Sequence, residues 1–483
     1  MRKVTAIRSA AWTIAWSEAE GRHVYLQDAD FVFDDSGAIL SVGPVWTGPV
    51  DREIDGRRLF LMPGLINLHC HPSTETMRRG LTEEIGSPLL YGSTLFEYLS
   101  VWVSDVDAKV ACAEAALCEL LLSGCTTITD LSFPYVGWLD VLSRSGIRAV
   151  VAPMFKDATW TTANGHAVEY RWDLEQGRRE FAAALAVLDE VAADQSGRLS
   201  GMLAPAQVDT CTPELLRDAM DEAVRRDLPL TLHISQSHTE FFEIVRRHGC
   251  TPIEWIEKLG LLGPRTILGH AVYVDSHSWI NWPEQRDIAR LGSSGTSVAH
   301  CPTVFSRRGA ILQGMRSYLD AGVNVVIGTD TFPHNMAEEL RLASTMARVA
   351  GRSVASLPSE ELFGAATTRG ARALKRDDIG KLVVGAKADF VLVDLDCPAM
   401  RPLREPLRNF IFEAGDRAVR DVFVDGRQLV ENGKVLTLDQ DDALARVEQG
   451  QQRAMVGTAS KDWAGRDTDA LAPMALPIRP IVS

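Results

Sequence analysis

Two imidazoles stand two residues apart in His69-Cys70-His71, at the end of the apolar run Leu65-Ile66-Asn67-Leu68 that follows the breakers Pro63-Gly64. Side chains at i and i+2 of a strand share a face. Two neutral imidazoles presented by one rigid strand end are half of a site for a borderline divalent metal. Other polar residues also close apolar runs: His233 after Leu230-Thr231-Leu232, His270 after Ile267-Leu268-Gly269, and Asp330 after Val325-Val326-Ile327-Gly328-Thr329. Three imidazoles and one carboxylate with a position left open match what a catalytic Zn²⁺ or Fe²⁺ takes, nitrogen and oxygen donors without thiolates. Such an ion lowers the pKa of its water toward about 7. Asp330 can then receive the water's proton, and His270 can orient the nucleophile or polarise the leaving group.

For these residues to meet, the runs that carry them must be strands of one sheet. Between about residues 64 and 332 short apolar runs alternate with longer amphipathic stretches, the pattern of βα units around a parallel sheet. The runs fall at 65–71, 125–131, 148–155, 199–208, 229–235, 266–274, 296–301 and 323–329. Eight of them close a (β/α)8 TIM barrel, whose chemistry sits at the carboxyl ends of its strands. Asp105 is placed to cap a helix with Val106, Val110, Ala113, Leu117 and Leu121 on its apolar face. Thr212-Pro213-Glu214 opens another. The two ends differ from this middle: residues 1–58 and 380–440 carry short alternating runs such as Phe31-Val32-Phe33 and Val422-Phe423-Val424 broken by Gly and Asp. They are expected to combine into a small composite β-sandwich beside a barrel spanning 59–379, with a helical and then extended tail over 441–483.

Bulk properties narrow the function classes. A chain of 483 residues with 46% hydrophobic and 24% charged residues fits a large domain with a smaller companion. A formal net charge of −14 argues against a nucleic-acid partner and leaves a small-molecule substrate as the default. The eight cysteines show no C-x-x-C spacing, which suggests reduced thiols. With neither a signal-peptide pattern nor a membrane-spanning run, the expected compartment is the cytoplasm.

The motifs Pro63-Gly64-Leu65-Ile66-Asn67-Leu68-His69-Cys70-His71, Gly269-His270, Ala299-His300-Cys301-Pro302, Gly328-Thr329-Asp330 and Gly385-Ala386-Lys387-Ala388-Asp389 together resemble the amidohydrolase superfamily, in its cytosine deaminase, guanine deaminase and triazine hydrolase branch. The resemblance covers residues 1 to about 440. It implies one divalent metal, zinc or iron, held by His69, His71, His233 and Asp330, with His270 binding the nucleophile or substrate, in a homo-oligomeric metal-dependent hydrolase of a C–N bond in a small nitrogen heterocycle. The chain departs from the branch at Gln236, where a proton-shuttling glutamate usually stands. A glutamine cannot carry a proton at neutral pH. Gln236 could orient the substrate while Asp330 and His270 share proton transfer, or Glu240 or Asp209 could enter the pocket. The departure also leaves open ring opening of a cyclic amide and displacement of a halide or alkylamine from the ring. In another class stands a noncatalytic scaffold built on the same barrel.

The loops beyond the strands should choose the substrate. Trp160 in the polar, aromatic segment 160–172 suggests a lid over a flat ring, against packing on neighbouring helices. Gln207 and Gln236 together could read an amide or amidine edge, and His300 and His334 could line the same mouth. Lys156 is expected to be solvated or paired with Asp157. An inward turn of Arg78 or Arg79 would favour an acidic substituent.

Overall fold

The computed structural model describes residues 2–479. Met1 and residues 480–483, the end of the expected tail, lie outside them.

The eight barrel positions are filled by parallel strands Leu65–Cys70, Cys125–Ser132, Arg148–Phe155, a broken fourth strand (Leu199–Gly201 and Ala204–Pro205), Leu230–Ile234, Thr266–His270, Ser297–His300 and Asn324–Ile327. Nearly every residue in them is buried, so their side chains read as continuous apolar runs instead of alternating ones. Two seams close the ring. The fourth strand meets the fifth through the bridges Leu203 to Leu230 and Gln207 to His233, and the last meets the first through Cys70 and Asp330. The sixth strand stops at His270, earlier than its apolar run, because His270 (φ 84°) and Ala271 (φ 44°) both take left-handed backbone there.

Strands from both ends of the chain form one nine-stranded sheet in which Leu59–Pro63 lies between Val4–Ser17 and Phe390–Asp394. The sheet folds over its own core. Strand Arg22–Asp34 lies three places from Phe390–Asp394 along the sheet, which in a flat sheet would separate them by about 14 Å. Yet the rings of Phe31 and Phe390 are 4.9 Å apart. These rings, with Phe33, Phe423, Ile7 and Leu61, fill the space a two-layered sandwich would enclose.

Barrel and sheet are pinned together by a buried ion pair. Arg148, at the start of the third barrel strand, donates through Nε and Nη2 to the two Asp389 oxygens at 2.8 and 3.0 Å, and both residues are 2% exposed. Asp389 Oδ1 also accepts from the Asp425 backbone N–H at 2.6 Å.

Helix Val106–Leu122 is capped by Asp105, whose side chain accepts from the Ala108 N–H, and helix Pro213–Arg225 is capped by Thr212. The first of these is buried on far more than the face its sequence suggests. Helix Gln440–Met455 covers its outer side, with Gly450 against Ala108, where an added Cβ would meet the Ala108 Cβ at 2.7 Å. The segment that follows reaches the loop after the first barrel strand: Trp463 Nε1 and Arg466 Nη2 donate to Glu97 Oε1 at 2.9 and 2.6 Å. None of the described helices is long and apolar enough to cross a membrane.

Replacing Arg148 with methionine leaves the Asp389 carboxylate buried without its cation. Arg148→Met should therefore lower unfolding stability by about 3–5 kcal/mol, read from urea denaturation. A loss below about 1 kcal/mol would show that the pair does not couple barrel and sheet.

Candidate metal centre and substrate cavity

His69, His71, His233 and Asp330 bring one donor atom each to within 4.8 Å of one another at the carboxyl end of the barrel. Nε2 of His71 lies 3.1 Å from Nε2 of His233 and 3.3 Å from Asp330 Oδ1, and His69 Nε2 lies 3.4 Å from the same oxygen. The opposite ring nitrogens set the tautomers. Nδ1 of His71 donates to the Leu131 carbonyl at 2.7 Å and Nδ1 of His233 to the Ala206 carbonyl at 2.6 Å, so both Nε2 lone pairs point inward. His69 is fully buried, and neither of its ring nitrogens has a hydrogen-bond partner among the described residues. An unsatisfied buried imidazole facing two others and a carboxylate is what a divalent cation would satisfy.

Charge favours the same state. Burial lowers the pKa of His69, and burial with the neighbouring imidazoles pushes His233 far down, which keeps these rings neutral. At His71 burial is outweighed by Asp330, and the pKa rises. Burial would lift the Asp330 carboxyl, but His270, His69 and His71 hold it well below its ordinary value, so it stays an anion. His270 is pushed down to about 3 by burial, with its Nε2 3.8 Å from Asp330 Oδ2.

The local sequence explains how tightly this is built. A Cβ at Gly269 would sit 2.7 Å from His69 Cε1, and one at Gly328 2.7 Å from His69 Cβ, so glycine at both positions makes room for that ring. Ser235 (φ 52°), His270 (φ 84°) and Asp330 (φ 60°) are all left-handed non-glycine residues, a clustering typical of strained functional sites. Asn67 is the positioning residue that the sequence shows only as a polar interruption of a buried strand. Its Oδ1 accepts from the His69 and Thr329 backbone N–H groups at 3.1 and 3.2 Å, while its Nδ2 donates to Thr329 Oγ1 at 2.9 Å. Asn67 thereby ties the first strand to the eighth directly beneath the donors.

A cavity of about 530 Å³ opens over the cluster. Of the expected residues, Gln207, Gln236, Trp160 and His270 line it with His71, His233 and Asp330. His300 and His334 do not: both are buried, His300 at the end of the seventh strand and His334 with Nδ1 3.3 Å from Thr329 Oγ1, outside the cavity wall. Neither carboxylate considered as a substitute for the missing glutamate reaches the cavity. Glu240 is fully buried and accepts from the Ser235 and Gln236 backbone N–H groups at 2.6 and 3.0 Å. Asp209 accepts from Trp160 Nε1 and Tyr170 OH, both at 2.8 Å, and so fixes the hairpin Ala158–Thr161 and Glu169–Trp172 as a wall. Trp160 faces the cavity, whereas Tyr170 and Trp172 stack on Arg247 at 4.2 and 5.0 Å. Glu75 does line the cavity, bound to Arg78. Residues 95, 99 and 103 of the loop held by Trp463 and Arg466 complete the rim.

The chain resembles known proteins over most of its length. The chain is 28% identical over 407 residues to a 5'-deoxyadenosine deaminase of Methanosphaera stadtmanae, covering 81% of this chain and 87% of that protein. It is 29% identical over 426 residues to a 5-methylthioadenosine/S-adenosylhomocysteine deaminase of Natronomonas pharaonis, covering 86% and 91%. Among solved structures it resembles an atrazine chlorohydrolase from Arthrobacter aurescens complexed with zinc, with 26% identity, a TM-score of 0.78, and coverage of 92% of this chain and 100% of that one. A zinc-bound adenosine deaminase from Xanthomonas campestris shares the fold, with 24% identity, a TM-score of 0.78, and coverage of 93% and 98%. The amidohydrolase family model matches residues 60–429, and the chain belongs to that family.

Proposed function

We propose that this protein is a mononuclear metal-dependent aminohydrolase that removes an amino group from a small nitrogen heterocycle. The observation that carries the reading is the meeting of three imidazoles and Asp330 at the floor of the cavity. As an amidohydrolase-family member with deaminase relatives, the chain is a hydrolase acting on C–N bonds. The names of those relatives favour a purine or a ring of similar shape. A scaffold role would not need four inward-facing ligating groups held by second hydrogen bonds.

When bound, a divalent cation held by His69, His71, His233 and Asp330 supplies Lewis acidity and makes water nucleophilic near neutral pH. Asp330, kept anionic by the imidazoles around it, would take the water's proton at Oδ2, the oxygen on the His270 side, and return it to the departing amine. His270, kept neutral, hydrogen-bonds the oxygen that adds to the ring carbon. Gln236 is 9% exposed, and its Nε2, without a partner among the described residues, donates to a ring nitrogen or carbonyl oxygen. Trp160 and Phe305 flank the ring, and Leu95 and Leu99 keep bulk water out. Water adds, ammonia leaves with one of the water's protons, and the carbon that carried the amine becomes a carbonyl as the other proton passes to the ring nitrogen. Residence in the cytoplasm and assembly into a homo-oligomer belong to the same reading, the latter checked by sedimentation.

A second reading draws on one observation. Gln236 offers no proton to a leaving group, and halides need none. Triazine hydrolases are among the similar structures. Displacement of a halide would therefore use the same floor without a proton donor, whereas an alkylamine or the nitrogen of a cyclic amide would draw its proton from Asp330 as ammonia does.

Zinc-loaded protein incubated with aminopurines, aminopyrimidines, triazines, pterins and cyclic ureas should release ammonia from at least one amino-substituted ring. Chloride, alkylamine or a ring-opened acid as the product would instead establish the second reading. The purified protein should hold about one equivalent of divalent metal, and His233→Ala below about 0.3 equivalent. Chelation should abolish turnover and lower the melting temperature, with both restored by zinc; turnover surviving in His69→Ala would remove His69 from the ligand set. Gln236→Leu should keep its metal but lose about 10- to 100-fold in kcat/KM.

A further inference from the structure

Around the rim, cations are generally matched. Arg78 is bound by Glu75, Arg79 by Glu119, and Arg307 donates to the Phe332 carbonyl at 2.7 Å. The inward-turned Arg78 that would have favoured an acidic substituent is therefore already neutralised. Three other cations that line the cavity are not: Lys109, which rests 5.9 Å over the Tyr135 ring, Arg308 and Lys156. Arg308, on the loop after the seventh strand, has no ion-pair or hydrogen-bond partner for its guanidinium among the described residues, although it is only partly exposed. Lys156, at the end of the third strand, has none for its ammonium either and rests 5.3 Å over the Phe133 ring. The expected partner Asp157 is engaged elsewhere, accepting from the Thr212 N–H and hydroxyl at 2.8 and 2.6 Å.

The polar wall is thus rich in donors and poor in free acceptors. Arg308, Lys156 and Gln236 Nε2 all lack an acceptor, whereas of the two carboxylates that line the cavity Asp330 belongs to the donor cluster and Glu75 to Arg78. Burial lowers the pKa of both Arg308 and Lys156, against the opposing pull of Asp330 and Glu75 at Arg308 and of Glu180 at Lys156. Leaving a guanidinium partly desolvated with no anion is unfavourable unless a ligand brings one. A guanidinium also offers a planar fork that fits a carboxylate through two parallel hydrogen bonds.

We propose that the substrate is a nitrogen heterocycle carrying a carboxylate, and that Arg308 is the specificity-determining residue that binds this group, with Lys156 adding positive potential from the facing wall. The proposal rests on the aminohydrolase reading for the ring. It adds what the ring must carry.

The test uses zinc-loaded full-length protein and matched ligands that differ in one substituent: 5'-deoxyadenosine, adenosine-5'-carboxylic acid and adenosine 5'-monophosphate, with pterin and pterin-6-carboxylic acid as a second scaffold. Affinity is measured by calorimetry, and ammonia release is followed separately. On at least one scaffold the carboxylate should improve affinity about 10- to 100-fold over the neutral parent. That ratio should collapse toward one in Arg308→Leu and recover in part in Arg308→Lys. Circular dichroism and zinc content establish that each variant is folded. A carboxylate preference without ammonia release would uphold the subsite and sink the aminohydrolase reading. No preference on either scaffold, or one that persists in Arg308→Leu, overturns the proposal. A larger gain from phosphate than from carboxylate overturns the carboxylate assignment.

Discussion

The structure depends on one seam, where the first barrel strand meets the end of the eighth. There the Asp330 N–H donates to the His69 carbonyl at 2.8 Å, and the His71 N–H donates to the Asp330 carbonyl at 3.0 Å. Three of the four residues whose donor atoms converge in the cluster are thus also the residues whose backbones close the barrel. Asn67 doubles the connection from below. Closure and ligand geometry are therefore the same event: a barrel that fails to close at this seam has no site, and a closed one has its imidazoles already aimed. Because the donors stand on strand ends and not on mobile loops, little reorganisation remains when a cation arrives.

This economy explains why so much was legible in the sequence. A strand buried on both faces is a continuous apolar run, so a histidine or aspartate that ends one stands out, and five such residues marked one end of one barrel. The nine-stranded sheet was visible as alternating runs at both termini, although only the structure shows a single sheet wrapped around Phe31, Phe33, Phe390 and Phe423. What stayed hidden depended on contacts distant in sequence. Helix Val106–Leu122 looked like a surface helix because nothing local reveals that Gln440–Met455 covers it. His300 and His334 sit at the right heights but lie buried outside the cavity wall, which strand position alone does not reveal. Arg308 passed unnoticed since a charged loop residue is ordinarily solvated, and its lack of a partner emerges only once the walls are assembled.

Gln236 and the rim cations can be understood together. With no ionisable group at position 236, three residues after the fifth-strand histidine, the proposed mechanism leaves proton transfer to Asp330 and its neighbour His270, and the remaining polar wall offers mainly donors. A ligand that suits such a wall is rich in acceptors. Glu240 and Asp209 take no part in that wall; they hold the backbone of 235–236 and the hairpin bearing Trp160 in place from behind. Residues that a search for acids would nominate thus serve as scaffolding for residues that carry no charge.

Only Gly64 separates the strand Leu59–Pro63 from the strand that ends in the His69 pair. One of its edges is completed by Phe390–Asp394, which is synthesised long after it. Until then the nascent chain carries an unpaired, wholly apolar edge immediately upstream of its ligands, the kind of surface that chaperones shield. Vectorial synthesis therefore leaves the strand that precedes the His69 pair without one of its neighbours until the distal Phe390–Asp394 has emerged.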